Sequence, residues 1–336
     1  MFMIIHSVNT VAALFTPVMR LIICAFIVIL SSCGSISQMK RVKDFGPNPG
    51  RLKMYVHKPA HLPDTATYPM VVALHGCYQN ARRMARQSGW NKLAKKHNFI
   101  LMYPQQRRFN NPAKCFNWFN KKDTDANNGE TASVKAMINY CFHNYSVDSS
   151  RVFVYGLSAG AAMGVSVMAN FPEVFKAGAI LAGAPYGMAG NIFEASGAML
   201  RPRIMTPSEW GTIITDKHPH GINYPQLVVV HGLRDKVVNI QSSRELVKQW
   251  TFLHKTNDYP FKIMFAFEGN PLVYKLLYGE SEDNCPIVFY MLHKTGHKLP
   301  VNPGRGVNKG GRRGIFAADR NFFSTYYIAK DFRIIP

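Results

Sequence analysis

Short apolar runs alternate along this chain with longer stretches of mixed character. Met70-Val71-Val72-Ala73-Leu74-His75 has no polar residue before its end, the pattern of a strand buried on both faces of a parallel sheet. Residues 99–103 repeat the pattern and stop at Pro104, and residues 151–155, 177–182, 226–231, 262–267 and 287–292 are further strand candidates. Residues 51–58 alternate polar and apolar positions, as an edge strand does. Helices are predicted over 80–97, with Met84, Trp90, Leu93 and Ala94 inward, over 129–145, 161–170 and 241–256, and near 318–331. Residues 186–224 are rich in Gly, Pro and Met without a clear period, which predicts an irregular cap over the sheet. Strands alternating with helices predict an α/β fold, with a mostly parallel central sheet covered on both faces. No linker-like break follows residue 50, so residues 51–336 read as a single domain.

The N-terminus has a different character. Met19-Arg20 precedes an apolar run over 21–30 and then Ser31-Ser32-Cys33-Gly34. A positive start, a short apolar core and small residues ahead of a cysteine make a secretory signal. The run is too short to span a bilayer comfortably as a helix. Leu30-Ser31-Ser32-Cys33 further resembles a bacterial lipobox. That resemblance implies a signal peptide over 1–32, lipid on Cys33, and a lipidated tether over 33–50 that holds the protein to a membrane of the cell envelope. Gly34 lacks the Asp linked with inner-membrane retention, which favours the outer membrane. Residues 1–18 add nothing to such a signal, so Met19 is the expected start. An ordinary signal peptide or an uncleaved anchor are the alternatives.

Composition narrows the classes that remain. A chain of 336 residues with 47% hydrophobic content can bury a large core. Its formal charge is +21, and removal of residues 1–32 takes away only Arg20. Such a balance favours anionic surfaces in general. Basic clusters at 40–43, 92–96 and 305–313 come without a nucleic-acid-binding frame, so they read as solvated surface and no nucleic-acid partner is expected. Of the six cysteines, Cys24 lies in the signal and Cys33 would carry lipid. Cys77, Cys115, Cys141 and Cys285 remain, an even number that suggests disulfides with the connectivity open. None is spaced as a zinc site, so no metal is expected.

The chemistry is concentrated at Gly156-Leu157-Ser158-Ala159-Gly160. A G-x-S-x-G turn between a strand and a small-residue helix is the nucleophile elbow of an α/β-hydrolase fold. It exposes the serine hydroxyl above the sheet and sets the Ala159 N–H at a helix N-terminus. A serine needs a base to take its proton, and in this fold the acid and the base follow in that order. Asp235 stands just past the strand 226–231 and is the expected acid, with Asp216 as its competitor. His297, in Gly296-His297-Lys298-Leu299-Pro300 after the last strand, is the expected base. His293 reads as a strand-end residue, and His231 as serving the turn before Asp235. Backbone donors must meet the developing oxyanion. Ala159 N–H is one, and Cys77 N–H, in the loop His75-Gly76-Cys77-Tyr78, is the other. A catalytic thiol at Cys77 is the rival reading, but a serine set is already complete.

These motifs resemble the polyhydroxybutyrate depolymerase family of esterases, to which acetylxylan and feruloyl esterases also belong. The resemblance runs from about residue 68 to 334. It rests on Val72-Ala73-Leu74-His75-Gly76-Cys77-x-Gln79, Cys115-Phe116-Asn117-Trp118-Phe119, Ala182-Gly183-x-Pro185-Tyr186-Gly187, His231-Gly232-x-x-Asp235, Gly296-His297-x-x-Pro300 and Ser324-Thr325-Tyr326-Tyr327-Ile328-Ala329, besides the elbow. It implies a triad of Ser158, Asp235 and His297, an oxyanion amide from Cys77, and Trp118 in a substrate cleft, with Phe116 and Tyr78 as further substrate contacts. The chain departs from the family at Phe116, Ala161 and Lys298, where Trp, Gly and a small residue are usual. No separate polymer-binding domain follows the catalytic one, which favours soluble oligomers and small esters over solid polymer.

The expected reaction is cofactor-free acyl transfer through Ser158, on hydroxyalkanoate oligomers or polymer and related small esters. Two other readings remain: a carbohydrate esterase acting on acetyl or feruloyl groups, and a non-catalytic surface lipoprotein that binds an anionic partner.

Overall fold

The computed structural model describes residues 39–218 and 221–336. The signal segment, Met19, Cys33 and the first part of the tether lie outside the described residues. The apolar runs form the middle of a ten-stranded sheet in the order β1-β2-β4-β3-β5-β6-β7-β10-β9-β8. These are β1 Lys40–Val42, β2 Lys53–His57, β3 Tyr68–Leu74, β4 Ile100–Gln105, β5 Val147–Leu157, β6 Ala177–Leu181, β7 Gln226–Gly232, β8 Lys262–Met264, β9 Val273–Tyr278 and β10 Ile287–Leu292. The six strands from β4 to β10 in that order are mutually parallel. Antiparallel pairs finish both edges.

Helices cover the two faces, which explains why the central strands are apolar without alternation. Val72, Val154 and Val229 join one core cluster with Met137 of α3 (Gly129–Asn144), Met163 of α4 (Ala159–Asn170) and Trp250 of α7 (Ile240–Leu253). Their neighbours Val71, Phe153 and Val228 point the other way. There they meet Met84 of α1 (Ala81–Ser88), Trp90 of α2 (Trp90–His97) and Ile328 of α8 (Ser324–Asp331). Successive strand residues thus serve opposite cores, the period-two rule applied to a sheet with no wet face.

Several expectations change. The helix over 80–97 is two helices, because Gly89 turns left-handed at φ 75 where Gly311 N would lie 2.7 Å from any Cβ. Residues 40–42, read as tether, add the edge strand β1, so β2 is not at the edge. Strand β9 was not predicted; Lys275 interrupts its apolar pattern and pairs with Asp331. The final helix begins only at Ser324, and Ala317–Asp319 ahead of it pairs as β12 with β11 (Leu299–Val301).

The segment 186–224 is also more ordered than its composition suggests. It holds α5 (Ile192–Leu200) and α6 (Pro207–Thr215), the latter started by a capping box between Thr206 and Glu209. Trp210 is fully buried and donates to Glu245 Oε2 at 2.7 Å, fixing α6 on α7. Among the four candidate cysteines, Cys77 and Cys115 form a disulfide, while Cys141 (buried) and Cys285 (partly buried) are free.

The loop after β4 is held from beneath by Glu130, which has no solvent exposure. Its carboxyl accepts from Asn117 N–H at 2.8 Å and from the Gln106 side chain, and Gln106 also donates to Cys115 O at 3.0 Å. Burial first, and the charge of Asp123 second, push the Glu130 carboxyl up to about 8, against those hydrogen bonds. An unfolded glutamate titrates near 4.3, so the folded chain holds a proton that the unfolded chain releases between these values. Glu130 therefore contributes stability at low pH that is lost as pH rises from about 4.5 toward 8. Glu130→Gln is expected to flatten that part of the stability profile, with the gap to wild type growing in the variant's favour toward pH 8. Urea unfolding at a series of pH values measures it; parallel profiles would contradict the assignment.

Candidate active site

Ser158 sits where β5 ends and α4 begins, with φ 56 and ψ −125. A non-glycine residue at positive φ costs on the order of 1–3 kcal/mol and persists only where its surroundings over-determine it. Here the glycines on either side allow that. A Cβ on Gly156 would lie 2.4 Å from Gly160 O, and one on Gly160 would lie 2.4 Å from His75 O. The Ser158 N–H also donates to Leu181 O at 2.8 Å. The hydroxyl is thereby lifted onto the C-terminal end of the parallel strands.

Loops from two other strand ends meet it there. His297 Nε2 is 2.9 Å from Ser158 Oγ, and His297 Nδ1 is 2.7 Å from Asp235 Oδ2. A carboxylate partner assigns the ring proton to Nδ1 and leaves Nε2 to accept from the serine. The other oxygen of Asp235 accepts from Val237 N–H at 2.8 Å and Val238 N–H at 2.9 Å. Burial alone would raise the Asp235 carboxyl. Hydrogen bonds from His231 and His297, the charge of His297 and the Val238 N–H outweigh it and hold the group far below the usual carboxylate range. Asp235 thus stays ionised throughout the ordinary pH range.

Supporting residues fix this geometry, of which Thr295, Arg320 and Ser243 were not singled out from the sequence. A Cβ on Gly232 would fall 2.3 Å from Thr295 O, so the loop that carries Asp235 and the loop that carries His297 touch through backbone. Arg234 N–H donates to Thr295 O at 2.8 Å, and Arg320 Nε donates to Thr295 Oγ1 at 3.0 Å. His231 is buried, with Nδ1 2.6 Å from Ser243 Oγ and Nε2 2.9 Å from Val238 O. It braces the turn that carries Asp235, as expected. A sequence signal existed: a His-Gly pair closes β7 at His231-Gly232 and follows directly on β3 at His75-Gly76. The competitors are not assembled. Asp216 caps the C-terminus of α6, and His293 lies against Tyr274 with ring centroids 4.6 Å apart.

The loop after β3 reaches the same point. A Cβ on Gly76 would be 3.4 Å from Ser158 Cβ, so the chain passes close beside the hydroxyl. Among the described residues, no acceptor meets the N–H of Cys77 or of Ala159, the first residue of α4. First-turn helix amides have no intrahelical partner. The loop is pinned by Gly76 N–H to Gln79 Oε1 at 2.8 Å, Gln79 Nε2 to Gln87 Oε1 at 2.8 Å, and the Cys77–Cys115 disulfide. His75 Nε2 accepts from Gln106 N–H at 3.1 Å, and Nδ1 is left to donate to Gly76 O at 2.8 Å. Burial, against the Gly76 hydrogen bond and with help from the Lys114 charge, lowers His75 to about 4 and keeps it neutral.

The expected substrate contacts divide. Phe116 is fully buried, its ring centroid 5.0 Å from that of His75, so it backs the loop after β3 and presents no surface to a ligand. Trp118 is buried at 9% exposure, edge-on to Phe119. Tyr78 is 67% exposed, beside Cys77.

Comparison with known proteins fits this arrangement. Residues 54–259 match the family model described as esterase PHB depolymerase. The chain is 38% identical to poly(3-hydroxyalkanoate) depolymerase C of Paucimonas lemoignei, over 94% of this chain and 75% of that protein. It is 29% identical to feruloyl esterase B of Neurospora crassa, over 81% of this chain and 92% of the relative. Among solved structures, an acetyl xylan esterase from Aspergillus awamori shares the fold, at TM-score 0.69 and 24% identity, covering 77% of this chain and 94% of that one. The extent of these matches places the chain in the esterase PHB depolymerase family, as a carboxylic ester hydrolase of the α/β-hydrolase fold.

Proposed function

We propose that Ser158, His297 and Asp235 carry out ester hydrolysis through an acyl-enzyme, with hydroxyalkanoate esters as the substrate class. The observation that carries this reading is the continuous relay from Ser158 Oγ through His297 to Asp235, at 2.9 and 2.7 Å. His297 Nε2 takes the serine proton as Oγ attacks the ester carbonyl. Asp235 holds the ring in the needed tautomer and stabilises the imidazolium. The Cys77 and Ala159 N–H groups receive the developing oxyanion. The imidazolium then protonates the departing alkoxide. Water attacks the acyl-enzyme, giving its proton to His297, and the acid and free serine are released. Tyr78, which is exposed, and the largely buried Trp118 are the candidate substrate contacts.

The 38% identity to a poly(3-hydroxyalkanoate) depolymerase over nearly the whole chain favours hydroxyalkanoate oligomers or polymer. Acetylxylan or feruloyl esters are the second reading, favoured by the relatives named for those activities. Product release from 3-hydroxybutyrate oligomers against acetylated xylan separates the two. We further read residues 51–336, with β1, as one catalytic domain, exported and tethered to the cell envelope by lipid on Cys33. Among the described residues no helix is long and apolar enough to cross a membrane.

Ser158→Ala is expected to lower kcat on p-nitrophenyl butyrate by a factor on the order of 10⁴ or more without changing the unfolding midpoint. Hydrolysis at the wild-type rate would remove Ser158 from the role. Replacing Cys77 and Cys115 together by Ser keeps the backbone donor but frees its loop. A fall of roughly tenfold to a hundredfold in kcat/KM is expected, and unchanged kinetics would show that the disulfide does not position the loop. Cys33→Ser is expected to abolish incorporation of labelled palmitate in the producing cell; persistent labelling would refute lipidation at that residue.

A further inference from the structure

The surface around the triad carries charge that the reaction itself does not use. Arg234 and Lys236 flank Asp235, and Lys294 and Lys298 lie on either side of His297; all four are exposed. Lys114 precedes the disulfide-bonded Cys115, and its charge is near enough to His75 to disfavour protonation of that ring. Among the described residues, none of these five cations has a carboxylate within 4 Å. Other cations do find partners, including Arg313 with Asp319 of β12, beside the strand that follows His297. Lys58 with Asp64 and Lys262 with Glu282 sit at the opposite end of the sheet, where β3 begins and β9 ends. Within the acid and base loops the one carboxylate is Asp235, buried and already engaged by His297.

Arg234 and Lys236 are sequence neighbours of Asp235, and Lys298 of His297, so these charges stand on the two loops that carry the hydrogen-bonded pair, and the field of exposed charges reaches about 8 Å into solution at physiological ionic strength. Such a field acts on an approaching ligand without a fixed contact. We propose that this rim selects esters that carry a carboxylate of their own, as a hydroxyalkanoate oligomer with a free acid terminus does. The inference rests on the esterase reading above and specifies its substrate. Every internal cut of a hydroxyalkanoate chain leaves a fragment with a carboxylate terminus. The rim therefore favours such fragments over an uncharged polymer surface.

The test compares the 3-hydroxybutyrate trimer as free acid with the same trimer as its methyl ester, which replaces the terminal charge by one further ester, so that only cleavage of the internal hydroxybutyrate bonds is scored. The ratio of kcat/KM, acid over methyl ester, is expected to be about fivefold or more at low ionic strength, and to approach one as salt rises past about 0.5 M. The triple variant Arg234→Ala, Lys236→Ala, Lys298→Ala is expected to bring the low-salt ratio close to one, and Lys298→Glu alone to lower it. Reading a ratio within each preparation separates charge from structural damage, and the single variant serves if the triple one fails to fold. Acetylated xylans with and without uronate groups form a parallel arm. A preference confined to the uronate form would keep the rim and assign the carboxylate to a polysaccharide. Hydrolysis of p-nitrophenyl butyrate in the same preparations separates the two readings. Its absence in the wild type would overturn the esterase reading and the rim's role with it. Retained butyrate hydrolysis with ratios near one, in wild type and variants alike, would overturn the rim alone.

Discussion

At Ser158 the chain passes from β5 into α4 at positive φ, and three separate loops are built to that point. The strain is local, but its support is not. Gly160 lets the elbow lie on the carbonyls of Leu74 and His75, so the end of β3 and the start of α4 are in contact. Ser158 N–H bonds to Leu181 O, tying the same turn to the end of β6. A larger residue at Gly156 or Gly160 would push apart the hydroxyl and both of the free amides beside it. The parallel sheet supplies this arrangement cheaply, since all of its central strands end on the same side.

The second layer of support joins the loops of Asp235 and His297 to each other before either reaches the serine. Gly232 against Thr295, Arg234 N–H on Thr295 O and Arg320 on the Thr295 hydroxyl hold the two loops as one unit. His231 and Ser243 brace the turn beneath Asp235. On the other flank, Gln79, Gln106, Glu130 and the Cys77–Cys115 bond hold the loop after β3. The hydroxyl, the imidazole and the two amides therefore stand on side chains that never approach a substrate, the condition under which a preorganised site retains its geometry.

Much of this was legible in the sequence because it depends on local patterns. The G-x-S-x-G turn and the unbroken apolar strands lie in short stretches of chain, and Asp235 and His297, which the structure joins to Ser158 by hydrogen bonds, each stand just past such a strand. What escaped depends on partners far away. Strand β9 is obscured by Lys275, whose burial makes sense only with Asp331 beside it. The helices within 186–224 show little period because each buries so few residues, Ala195 and Ala198 in α5 and Trp210, Gly211 and Ile214 in α6. The break at Gly89 answers to Gly311, more than two hundred residues away in sequence. Phe116 sits in a motif that reads as a substrate contact, yet its ring faces His75. Pairing Cys77 with Cys115 needed the loop geometry, as four cysteines alone allow three answers.

The central claim is that the held hydroxyl of Ser158 is the nucleophile. Labelling the intact protein with a fluorophosphonate, followed by peptide mass spectrometry, tests it most directly. The account predicts a single covalent adduct on Ser158, formed slowly or not at all in His297→Ala because the base is gone. An adduct on another serine, or equal labelling of Ser158 without His297, would contradict it.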